Sequence, residues 1–184
     1  MNAYDYSTYL NTVWQDAVHR YEAGERGVDT FFSAELLAKL ASVGLKAIEV
    51  YDFAEDFVKT GEPDFGTFLL ICEARRDYFF HVQKGIASTT VLHMDSLPSK
   101  EDAVEGITWL PRILPKALAK LRGELETDLM FCCGGDRRFF KENNIHPAEF
   151  LRAVWAWSET PEKIIDWVKQ RRDGKLVTAD FAAS

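Results

Sequence analysis

The sequence predicts an all-α protein: a compact bundle of about seven helices, forming one body or two closely packed helical subdomains. Three observations predict it. Apolar residues recur at helical spacing along most of the chain, and glycines at 24, 44, 61, 85, 123 and 174 punctuate those periods as helix stops. Only "STTVLHM" carries the β-branched run of a strand.

Taken in order, Tyr6, Leu10, Val13, Trp14, Ala17, Val18 and Tyr21 mark a first amphipathic helix that Gly24 ends. The loop "EAGERGVDT" follows, and Ser33 caps a second helix carrying Leu36, Leu37 and Leu40 up to Gly44. A third spans 46–60. Pro63 is placed in the first turn of a fourth, whose run from Asp64 to Lys84 is so rich in Phe, Leu, Ile and Tyr that it reads as a central helix buried on most sides. The stretch "IASTTVLHMDSLPS" lacks a helical period. Beyond it, Leu110, Ile113, Leu114, Ala117, Leu118 and Leu121 define a helix in which Pro115 either lies in the first turn or makes a kink. Three short helices complete the chain, one starting at Asp136, one at Pro147 and one at Pro161. The organisation is therefore a helical part over 1–85, a linker or short extended segment over 86–104, a second helical part over 105–173 and a flexible tail over 174–184.

With 47% hydrophobic residues the chain has ample material for a core, which excludes intrinsic disorder. Its 29 acidic residues exceed its 22 basic ones, so the surface lacks the positive footprint of a nucleic-acid binder. The acidity sits in residues 1–85, with 14 acids and 8 bases. The N-terminus lacks a basic start followed by an apolar run, and no stretch reaches the roughly 18 apolar residues of a bilayer span. Three cysteines are too few for a disulfide framework and read as reduced thiols. A cytoplasmic protein with no membrane association is expected.

"GITWLPRILPKALAKLRGEL", then "CGGDRRFFKENNIHPAEFLRAVW" and "IIDWVKQR", resembles a bacterial family, the domain of unknown function number 5069, over roughly residues 105–170. Its shorter relatives imply a Cys-Pro-Leu-Asp type of turn where this chain has Cys133, Gly134, Gly135 and Asp136. "EVYDFAEDFVKTGEPDF" and "RRDYFFHVQKG" look like the N-terminal part of a longer branch of that family. The resemblance implies a helical cytoplasmic protein and brings no catalytic residues with it.

Chemistry concentrates in "MFCCGGDRRFF", residues 130–140. Glycines before a helix turn backbone N–H groups outward, and with the helix dipole and two arginines they favour an anion. Cys133, Gly134, Gly135, Asp136, Arg137 and Arg138 form that candidate site, with His146 brought near by a short turn. A thiol there gains nucleophilic character from the same dipole. The structural reading makes Asp136 an ordinary N-cap, the cysteines small buried hydrophobes and His146 a packing residue beside Pro147.

Glu73, Asp77 and His81 stand four residues apart on one helical stripe and form a candidate metal site, although the paired Glu-x-x-His signature of di-iron bundles is missing. Arg112, Lys116 and Lys120, assigned to the face opposite the leucines, read as a solvated basic stripe. The expected function is a non-catalytic helical module binding a small anion, a metabolite or a protein partner. The alternative is a metal-dependent or thiol-using enzyme. No cofactor is expected, nucleic acid is not an expected partner, and self-association stays open.

Overall fold

The computed structural model describes residues 3–175, and the chain divides into two units, Met1–Ser88 and Thr89–Ser184. The described residues form nine α-helices and one two-stranded sheet, so the all-α class holds.

In the first unit, α1 (Tyr6–Glu22) buries Tyr6, Leu10, Val13, Trp14, Ala17 and Tyr21, nearly the whole stripe its spacing predicts. It packs along α4 (Ala47–Thr60) and then α5 (Phe65–His81). Trp14 is the hub: its ring centroid lies 5.5 Å from that of Phe57 on α4 and 4.9 Å from that of Phe68 on α5. Each such aromatic pair adds about 0.5–1.5 kcal/mol beyond its buried area. The predicted loop contains a short helix, α2 (Val28–Phe31), which Phe31 pins to Tyr51 at 4.8 Å. Ser33 caps α3 (Ala34–Ser42) by accepting from the Leu36 N–H, as expected, but Leu37 stays exposed.

Two expectations need correction here. Pro63 precedes the cap of α5 instead of lying in its first turn, because the Asp64 carboxylate takes the cap position and accepts from the Thr67 N–H at 2.8 Å. Of α5 only Gly66, Leu70, Phe80 and His81 are exposed, as expected of a helix buried on most sides, but the central place belongs to α1, which makes the more extensive packing.

In the second unit, Leu92 pairs with Leu125 in a single parallel bridge, its N–H donating to the Glu124 carbonyl at 2.7 Å. Strands β1 (Ala103–Val104) and β2 (Ile107–Thr108) pair antiparallel, Ala103 with Thr108 and Val104 with Ile107. They lead into α6 (Leu110–Arg122), which packs on α8 (Pro147–Ala156), and α8 packs on α9 (Pro161–Arg172). Pro115 lies in the interior of α6, past its first turn, so the Pro111 carbonyl loses its usual helical donor. Helix α7 (Gly134–Glu142) adds Phe139 and Phe140 to a ring cluster with Phe131, Phe150 and Trp167. The expected tail lies outside the described residues from position 176 onward.

Candidate functional site

Within the second unit, α6 and α7 are joined by one carboxylate. Asp136 Oδ2 accepts from Lys116 Nζ at 2.5 Å and from the Cys132 N–H at 2.9 Å, while Oδ1 accepts from the Trp109 indole N–H at 3.0 Å. The Lys116 side chain is 2% exposed and that of Asp136 0%. Taking such a pair out of water costs several kcal/mol per ion, which only excellent geometry and further hydrogen bonds offset. Here the indole and a backbone N–H supply them.

Two of these donors come from unusual backbone. Trp109 and Cys132 both lie at φ +73°, the left-handed region that L side chains rarely occupy. Each such residue costs of order 1–3 kcal/mol and persists only where its surroundings over-determine it. Asp136 binds both. Arg137 adds a second hold on Cys132, donating from Nη1 to its carbonyl at 2.9 Å.

Sequence reasoning placed Asp136 as the N-cap and first residue of a helix. Instead α7 starts at Gly134 with Cys133 as its N-cap, and Asp136 is the third helical residue. The inward position gives the carboxylate three donors where a cap gives one or two. Gly135 is required by the same packing, since a Cβ there would meet the Trp109 ring at 2.5 Å.

The basic stripe is corrected as well. Lys116 and Lys120 are buried instead of solvated, and Arg112 donates to the Pro98 carbonyl at 2.7 Å. The signal was present in the spacing. Lys116 follows Ile113 by three positions and Lys120 follows Ala117 by three, which puts both lysines at the margin of the apolar stripe, not opposite it.

Cys133 is half-buried, and its Sγ receives Lys116 Nζ at 3.5 Å. Its neighbour Cys132 is fully buried, and burial, aided by the Asp136 charge, pushes that thiol up. Arg138 projects into solvent, 4.0 Å from Glu142. His146 lies at the start of α8. It caps α8, its Nδ1 accepting from the Ala148 N–H at 3.2 Å. The whole of α7 lies between it and Cys133 in the chain.

Among the described residues no three His, Cys, Asp or Glu side chains converge to hold a metal. Glu73 is half-buried, Asp77 pairs with Arg76 at 3.0 Å, and His81 is exposed at the end of α5. No helix of the described residues is long and apolar enough to cross a membrane.

Residues 95–179 match the family described as "Domain of unknown function (DUF5069)". The match extends beyond the resembling stretch at both ends and contains the whole Trp109, Lys116, Cys133 and Asp136 cluster. No curated protein and no solved structure matches the chain.

Proposed function

We propose that this chain, whose residues 95–179 belong to the DUF5069 family, is a non-catalytic helical module that holds a small anion at the start of α7. The observation supporting this reading is the inward turn of Asp136. It is the acidic residue of the first turn of α7, yet its carboxylate is committed to Lys116, Trp109 and Cys132. It therefore does not lie over the N–H groups that the first turn directs outward. Such a helix start carries about half a positive charge, and exposed Gly134 leaves the backbone uncovered. Arg137 and Arg138 follow at once, completing a donor set suited to phosphate or carboxylate. The three free cysteines fit a reducing, cytoplasmic setting.

The test is thermal unfolding in phosphate or sulfate against chloride, with the wild type compared to Arg138→Ala and to the Arg137→Ala, Arg138→Ala double variant. The wild type is expected to gain an anion-dependent increment that Arg138→Ala reduces and the double variant loses. Sulfate stabilises proteins generally, so the difference between variants decides. An equal response in all three sinks the reading.

A further inference from the structure

Anion binding leaves one reactive group of this corner unused, the Cys133 thiol. Three observations bear on it. Cys133 is half-buried and precedes exposed Gly134, whereas Cys72 and Cys132 are fully buried, so it is the thiol residue open to a small oxidant. An amine nitrogen, Lys116 Nζ, lies 3.5 Å from that sulfur. The same nitrogen sits 2.5 Å from the Asp136 carboxylate, a ready acceptor for its proton.

We propose that hydrogen peroxide converts the Cys133–Lys116 contact into a covalent sulfenamide that staples α6 to the start of α7. In the first step the Cys133 sulfur attacks one peroxide oxygen. The S–O bond forms, the O–O bond breaks, and the departing hydroxide leaves as water with the thiol proton, so sulfur is oxidised by two electrons to the sulfenic acid. In the second step Lys116 passes a proton to Asp136, and its neutral amine attacks sulfur. The S–N bond forms, the S–O bond breaks, and hydroxide takes the remaining amine proton and leaves as water. One peroxide is consumed and two waters are released. Sulfenic acids condense in this way with backbone nitrogen, and here a side-chain amine already touches the sulfur. A thiol reductant reverses the bond, restoring thiol and amine while forming its own disulfide. The staple depends on the Cys133 and Lys116 side chains and not on whether α7 holds an anion.

The experiment treats the reduced full-length protein with stoichiometric hydrogen peroxide and reads intact mass, thiol count after denaturation, and the peptide map. The expected product is lighter by two hydrogens, alkylates at two of its three cysteines, joins the Lys116 and Cys133 peptides, and reverts with a thiol reductant. Cys133→Ser should show no such mass loss. Lys116→Arg, which keeps a cation for Asp136, should stop at the sulfenic acid, one oxygen heavier and trapped by a dione reagent. Three results overturn the proposal: a wild type that stops at the oxygen gain, a Cys132–Cys133 disulfide with a single alkylatable thiol, or a mass loss that persists in Lys116→Arg. If that variant does not fold, the wild-type peptide map decides alone.

Discussion

Lys116 and Asp136 meet at 2.5 Å with both side chains withdrawn from water, across a separation of twenty residues in the chain. Breaking a buried pair from one side leaves an uncompensated charge and typically costs about 3–5 kcal/mol. Asp136→Ala should therefore destabilise the second unit by about that much, measured by urea unfolding. Asp136→Asn should lose most of the same amount, because the amide keeps one acceptor oxygen, turns an NH2 toward the donors of the other, and cannot neutralise Lys116. A mild Asn variant beside a severe Ala variant would mean that hydrogen bonding, not charge pairing, carries the site.

Removing both charges should hurt less than the two single changes suggest. Lys116→Met combined with Asp136→Asn keeps an acceptor for the indole and eliminates both buried charges. The coupling energy should fall at the upper end of the range for contacting residues, about 0.5–3 kcal/mol. Additive losses in the double-mutant cycle would show that the pair does not act as a unit.

The two glycines of α7 should respond unequally to alanine. At Gly135 the new methyl meets the Trp109 ring at 2.5 Å, so the indole must move off Asp136. Overpacking of this kind costs about 1–3 kcal/mol. At Gly134 the nearest atom is Arg137 Nη2 at 3.8 Å, an ordinary contact, and the change should stay within about 0.5 kcal/mol. Thermal melts of the two variants side by side check this, with indole fluorescence reporting on Trp109.

How much of this was legible in the sequence depends on the range of the interaction. The stripe of α1, the Ser33 cap and the stop at Gly123 are set by neighbours within a turn or two, and spacing reveals them. The burial of Lys116 is set by Asp136, one helix later in the chain, and a lysine read without its partner defaults to solvent. The same gap explains Asp136 itself. "GGD" suits a cap at Asp136 or a start at Gly134, and what decides is an indole contributed from position 109. Helix α2 escaped because four residues contain too little periodicity to register.

Acid should loosen the entry to the second unit. The hydrogen bond from His93 Nδ1 at 2.8 Å, followed by that from the Met94 backbone N–H, holds the Glu126 carboxyl below its usual range. A depressed folded-state pKa means that this contribution is fully present above the unfolded carboxylate range and is lost as pH falls through the folded value. Glu126→Gln should lose stability at neutral pH, where the contribution is present, and converge with the wild type in acid, so that its acid limb is flatter. An unchanged acid limb would remove Glu126 from the account.

Alkylation of the native protein should distinguish the thiols. Cys133 is expected to react first, and Cys72 and Cys132 only on the timescale of unfolding, because both are buried and burial raises the Cys132 thiol further. Peptide mapping after a short exposure to iodoacetamide checks the order. Early labelling at Cys132 would contradict the packing around Asp136.

The Leu92–Leu125 bridge also has a mechanical meaning. Tension arriving along the chain from residue 88 meets this clamp, with its 2.7 Å hydrogen bond to Glu124 and the adjoining His93–Glu126 contact, before it reaches α6. The clamp closes a loop containing both strands and all of α6, so pulling from that side would have to release it before the slack inside the loop could extend. Strands β1 and β2 and helix α6 are thus kept out of the path of forces transmitted through the N-terminal connection until a few hydrogen bonds at the edge of the unit part.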